Sequence, residues 1–225
     1  MLEVRSVLAS LFDANCYILW DDQEKEAVIV DPGPGTAVAA ARIVEENGLT
    51  LASVLLTHGH IDHVWDAARV EEGGELIPVY YTEPDGFFLD DPAGQIGFDV
   101  SIFGLGSWRR PENLAPIDDL DFSPAKGIFT RVIPAPGHSP GSAIFLIGAE
   151  GMASPLALSG DVVFAGSVGR TDLPGGDEYE MRQSLRTLGN SLDPATTLLP
   201  GHGPQTTWAK EMGSNPYVLR GCKVG

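Results

Sequence analysis

Three of the five histidines in this 225-residue chain fall within six residues, His58-Gly59-His60-Ile61-Asp62-His63, with Asp62 among them. Neutral imidazole and ionised carboxylate are the ligands that zinc, ferrous iron and manganese accept near pH 7, so the run reads as part of a metal site. A helical zinc motif spaces its histidines four apart on one face. His58 and His60 are two apart across a glycine, which suits an extended turn. Asp62 and His63 are consecutive, so their side chains diverge, and the pair need not serve the same ion as His58 and His60. The spacing therefore allows two neighbouring metal positions. The competing reading makes these surface or capping residues, Asp62 being a good helix N-cap; the density of donors weighs against it.

The elements around the run explain how it would be held. Ser53 to Thr57 is a short apolar stretch with β-branched residues, and Val64 to Glu72 has helical composition, which puts the donors on a strand-to-helix loop. The same device recurs. Ile128 to Ile133 alternates as a strand and leads to Pro136-Gly137-His138-Ser139-Pro140-Gly141; Leu156 to Gly160 leads to Asp161; Thr197 to Leu199 leads to Pro200-Gly201-His202-Gly203. A buried strand is a rigid mount, and glycine lets the backbone turn where a side chain must reach a metal. Each segment alone is weak; four together are not.

With these residues in view the chain resembles the metallo-β-lactamase superfamily, whose signature is His-x-His-x-Asp-His followed by an isolated His, Asp and His. The match falls on His58, His60, Asp62, His63, His138, Asp161 and His202, and Val28-Ile29-Val30-Asp31-Pro32-Gly33 resembles an earlier motif whose Asp supports the site. The resemblance covers about residues 10 to 205. It implies an α/β fold, an αββα sandwich of two mixed β-sheets flanked by helices with the metals at one edge. It also implies that His58, His60 and His138 hold one divalent ion, that Asp62, His63 and His202 hold a second, and that Asp161 bridges them. Zinc is the first expectation, with iron or manganese as alternatives.

Ser159 to Gly176 resembles the glyoxalase II and persulfide dioxygenase branch, in which Arg170 falls where a cation meets an anionic thiol cofactor. A guanidinium grips a carboxylate by two parallel hydrogen bonds; the other reading of Arg170 is an ion pair with Asp172. The expected activity is a glyoxalase II-like hydrolase cleaving a small-molecule hydroxyacyl thioester by a metal-bound hydroxide, with Asp62 and Asp161 orienting the nucleophile as well as ligating. Metal binding lowers the pKa of water from about 15.7 towards about 7. A thiol with a pKa near about 8.5 leaves without a dedicated general acid, whereas an amide nitrogen does not, which favours thioester over lactam. Asp161 also stands where many β-lactamases of the superfamily use a cysteine. The alternative activity is a persulfide dioxygenase with a single iron, and a metal-stabilised interaction module is a third reading, which seven donors overfill. Glutathione-using glyoxalase II enzymes carry a C-terminal helical extension, and the 22 residues after Gly203 are too few to build one. A smaller or different thiol, or a looser substrate range, is the expectation.

Composition narrows the rest. With 14 basic and 31 acidic residues the net charge is −17, which argues against the phosphate neutralisation that nucleic-acid partners demand. Donors spread from residue 58 to residue 202 require one cooperative unit, so a single domain over 1–225 is expected. The Pro-, Gly- and Asp-rich stretch from about 83 to 123, with Phe87, Phe88, Phe98, Phe103 and Trp108, reads as a lid or insertion. Thr36 to Asn47 reads as a helix with Thr36 as cap and Gly48 as stop, and Asp177 to Leu188 as another. Cys16, in an apolar strand, and the distant Cys222 are expected as free thiols. The N-terminus lacks a signal peptide's basic start and long apolar core, and no stretch approaches a membrane span, so the expected location is cytoplasmic.

Overall fold

The computed structural model describes residues 1–71, 76–97, 99–152 and 154–222; Glu72 and Phe98, named above, lie outside them. The first sheet is built in chain order from β1 (Leu2–Leu8), β2 (Asn15–Asp21), β3 (Glu26–Val30), β4 (Thr50–Leu55), β5 (Val79–Tyr81) and β6 (Leu114–Pro116). Its β1–β2 and β2–β3 pairs are antiparallel and the rest are parallel. β7 (Asp121–Ala125), β8 (Ile128–Pro134), β9 (Ala143–Ala149) and β10 (Leu156–Gly160) form an antiparallel run in the second sheet, which β13 (Thr197–Pro200) joins in parallel and β14 (Thr206–Thr207) closes. Between them β11 (Val163–Phe164) and β12 (Ser167–Val168) make a small hairpin.

Strand periodicity of two sorts the side chains into layers. Tyr17 and Leu19 of β2, Val28 and Val30 of β3 and Leu55 of β4 meet Val132, Phe145, Leu158 and Leu199 of the second sheet in a central core. The alternate residues Ile18, Trp20, Ile29 and Val54 face outward against α1 (Ala37–Glu46) and α3 (Ala67–Glu71). On the far side Ile144, Ala157 and Leu198 pack under α4 (Glu178–Ser191), α5 (Trp208–Ser214) and α6 (Pro216–Cys222) through Met181, Leu185, Leu188, Trp208 and Val218. This is the expected αββα sandwich. Because both faces of the sheets are covered, β2 is buried along its whole length, which erases the alternation an exposed strand would show.

Local expectations are met with three adjustments. Thr36 stands at the N-cap of α1, but its hydroxyl donates to the Gly33 carbonyl (2.7 Å), and Ala37 N is received by Asp66 Oδ2 (3.1 Å). The helix expected after the histidine run is split into α2 (Ile61–Val64) and α3, with Asp66 between them committed to capping α1. The stretch read as a lid contributes the edge strand β6 and the start of β7. Phe88 and Leu89 in it are buried, and Trp108 Nε1 donates to the Leu89 carbonyl (3.1 Å). Asp177 caps α4 through Glu180 N, and both cysteines are free, Cys16 fully buried. Among the described residues no helix is long and apolar enough to cross a membrane.

Candidate metal centre

The loops at one edge of the sandwich carry all seven sequence-predicted donors to one place. His58 and His60 leave β4, Asp62 and His63 open α2, and His138, Asp161 and His202 follow β8, β10 and β13. His58, His60, His63 and His138 are almost wholly buried, as are Asp62 and Asp161. The side chain of His202 is 25% exposed, which places it at the mouth.

The orientation of each ring is set from behind. Nδ1 of His58 faces Thr57 Oγ1 (3.0 Å), Nδ1 of His63 faces Asp31 Oδ2 (3.0 Å), Nδ1 of His138 faces the Arg170 carbonyl (2.7 Å) and Nδ1 of His202 the Phe12 carbonyl (3.0 Å). Carbonyls and carboxylates only accept, so the proton sits on Nδ1 of those rings. Thr57 already donates to Asp31 Oδ2 (2.7 Å), so it too accepts from its histidine. In their neutral forms these four histidines therefore present Nε2 as the lone-pair nitrogen. His60 is turned the other way, its Nδ1 lying 2.8 Å from Nε2 of His138.

The inward atoms form two sets, His58–His60–His138 and Asp62–His63–His202, each with ligand atoms within 4.8 Å of one another. Asp161 lies between them, its Oδ2 3.5 Å from Nε2 of both His138 and His202 and its Oδ1 3.4 Å from Nε2 of His63. A third grouping, Asp31–His58–His63, is of another kind, because Asp31 addresses His63 through the back of the ring. Nε2 of His58 and Oδ1 of Asp161 are buried without a hydrogen-bond partner. Orphaned buried polar atoms are costly, and here they converge where a divalent cation would satisfy them. The donor set fits a metal site.

Electrostatics agree. Burial drives His58 well below its ordinary value and His60 down to about 3, so both stay neutral and ready to ligate. Asp62 falls to about 2: burial opposes its charge, but His63 and His202 outweigh it. Burial likewise works against a charged His63, yet Asp62, Asp161 and Asp31 together push it up to about 10. Burial raises Asp161, crowded as it is among carboxylates and imidazoles. Strong opposed shifts packed in one cleft mark a functional site.

Of the two sequence readings of Arg170, the ion pair with Asp172 is the one present in the structure. Its guanidinium is exposed and paired with Asp172 by two hydrogen bonds (Nε to Oδ1 2.6 Å, Nη2 to Oδ2 2.8 Å), and it is the Arg170 carbonyl that reaches the site, at His138. Several supporting groups escaped the sequence reading. The β1–β2 turn and the start of β2 anchor the last donor loop, with Asn15 Nδ2 and Tyr17 OH on the Pro200 carbonyl (2.9 and 2.8 Å) and the Phe12 carbonyl on His202. Asp85, from the supposed lid, bonds to Gly59, Ser139 and Gly141. Nothing local in sequence links these positions to a histidine more than fifty residues away.

Two layers of sheet between helices, with His- and Asp-bearing loops gathered at one edge, define a metallohydrolase-type scaffold. Residues 9–202 match the model of the metallo-beta-lactamase superfamily, and the chain belongs to that superfamily. It is 33% identical to the hydroxyacylglutathione hydrolase GloC of Haemophilus influenzae, over 96% of this chain and 98% of that one. Among solved structures it is similar to the BLEG-1 B3 metallo-beta-lactamase (32% identity, TM-score 0.80, 96% of this chain and 99% of that one). It is similar also to TTHA1623 in a di-iron-bound form (32% identity, TM-score 0.77, 95% and 99%).

Proposed function

We propose that the chain is a dinuclear metal-dependent hydrolase of the glyoxalase II-like type that cleaves a hydroxyacyl thioester. The observation that carries the reading is Asp161, whose carboxylate touches both donor sets at once (3.4–3.5 Å), as a ligand shared by two ions must. Two ions held there, zinc or iron, supply carbonyl polarisation and a water of lowered pKa. The likeness to TTHA1623, whose structure holds two irons, supports the pairing.

The chain's own residues do the rest. Asp62, ionised at neutral pH, would accept a hydrogen bond from the attacking water and orient it, and Asp161, lying between the donor sets, would help to hold it. Thr57, Asp31 and the Arg170 and Phe12 carbonyls keep the imidazoles from rotating, so the reacting groups need no reorganisation. The thiolate departs unassisted. The likeness to GloC supports a hydroxyacyl thioester, and this chain spans 98% of that protein. That likeness makes glutathione a candidate carrier beside the smaller or different thiol expected from the sequence.

The test is a substrate panel on freshly purified protein of known metal content: hydroxyacylglutathione, other acyl thioesters, a β-lactam, and a thiol persulfide with oxygen uptake recorded. Thioester turnover exceeding the others, with two metals per chain, is the expected result. Intact thioesters beside rapid β-lactam cleavage, as the likeness to BLEG-1 could entail, or oxygen uptake with one iron per chain, would overturn it.

A further inference from the structure

Asp85 is 1% exposed and belongs to neither donor set. It ends a single 3-10 turn, Glu83–Asp85, and its carboxylate accepts three hydrogen bonds: Oδ2 from Gly59 N (2.7 Å) and Ser139 Oγ (2.7 Å), and Oδ1 from Gly141 N (2.5 Å). Gly59 separates His58 from His60. Ser139 and Gly141 follow His138. One buried carboxylate therefore joins the ligand loop of the first sheet to that of the second, and Thr82 of the same turn adds a bond to the Gly141 carbonyl. The fit leaves no slack, since a Cβ on Gly141 would stand 2.6 Å from Asp85 Cγ.

The other donor set is held by another acid. Asp31 takes His63 Nδ1 and both polar groups of Thr57, and Asp85 touches neither Asp62, His63 nor His202 by any hydrogen bond. Only His58 borders both networks, through Thr57. The distance between His60 Nδ1 and His138 Nε2, residues from different sheets, is thus set largely by how Asp85 spaces Gly59 from Gly141.

We propose that Asp85 is a positioning residue that sets the spacing of His58, His60 and His138 and so governs the metal held by that set, independently of the one held by Asp62, His63 and His202. The proposal rests on the paired-metal reading above and not on the thioester chemistry.

Asp85→Asn keeps the volume but replaces an acceptor oxygen with an NH2 group. In either orientation a donor then faces the N–H of Gly59 or of Gly141, and the loops part. The bond from Ala143 N to the Thr57 carbonyl (3.0 Å) still pins the sheets together at this edge. Ser139→Ala removes one of the three bonds and leaves both amides in place, so it is the gentler variant. Metal-free wild type and both variants would be titrated with zinc against a chromophoric chelator, and the imidazole nitrogen shifts of the metal-free proteins recorded by NMR.

Wild type should take two ions. In Asp85→Asn one ion should bind within a few-fold of wild type while the other weakens by about 10- to 100-fold, with shifts moving at His60 and His138 and not at His202; Ser139→Ala should move the same way by less. Should Asp85→Asn fail to fold, the selectivity of Ser139→Ala decides. Unchanged binding of both ions, or equal weakening of both, would overturn the proposal. A wild type that takes one ion or none would bring down the paired-metal reading itself.

Discussion

Asp31 Oδ2 lies 3.0 Å from His63 Nδ1, behind the ring whose Nε2 faces Asp62, Asp161 and His202. Asp31 adopts a left-handed backbone (φ 51°), which asparagine tolerates, so Asp31→Asn should fold. Its new NH2 must face either the Nδ1–H of His63 or the N–H of Thr57, so in one orientation the ring loses the acceptor that fixes its proton on Nδ1 and in the other the Thr57 loop behind it is displaced; both disturb the ligand. Metal analysis should show that Asp31→Asn loses one of two ions or weakens it by about 10- to 100-fold; two tightly held ions would contradict the tautomer argument.

His63 is held up to about 10 in the metal-free protein, so at pH 7 a metal must displace its proton. Calorimetric titration in buffers of different ionisation enthalpy should reveal proton release from this ring, and affinity should climb with pH until about 10. A pH-independent affinity would exclude it.

The same shifts predict how the metal-free fold responds to pH. A raised His63 stabilises it while protonated: the contribution is complete below the ordinary value of 6.5 and is lost as pH rises through about 10. Asp62 has the opposite sign, its contribution being present above 3.8 and lost as pH falls through about 2. Thermal denaturation should show the Tm of metal-free protein falling between pH 7 and 10 more steeply than that of the loaded form.

Gly201 sits where a Cβ would come within 2.2 Å of Asp161 Oδ1 and 2.7 Å of His63 Cε1. Gly201→Ala must displace the shared carboxylate. A destabilisation of about 1–3 kcal/mol is expected from overpacking, and loss of both metals with it, since Asp161 serves both. Chemical denaturation and metal counting on the same sample test this.

Arg170 and Asp172 neutralise one another in the open. If the guanidinium meets a carboxylate of the substrate, Asp172→Ala should lower KM for glutathione thioesters and leave kcat unchanged, while Arg170→Ala raises KM for those and not for neutral thioesters. Identical kinetics in all three proteins would show that Arg170 acts through its carbonyl alone.

The sequence by itself marked the candidate donors and their mounts. His58, His60, Asp62, His63, His138, Asp161 and His202 could be picked out because the four segments that carry them each follow an apolar strand and contain a turn residue, and those patterns are local. The two-sheet architecture followed from the superfamily resemblance that those donors carry. Tertiary structure alone decided which nitrogen of each imidazole faces inward, because that depends on Thr57, Asp31, and the Arg170 and Phe12 carbonyls lying behind the rings. It also decided that Asp85, in a stretch whose composition reads as a lid, ties two ligand loops together, and that the fork of Arg170 turns to Asp172. Side-chain chemistry is written in residue type, whereas the direction of a hydrogen bond depends on what the folded chain places opposite, and sequence spacing carries no record of a partner from another sheet.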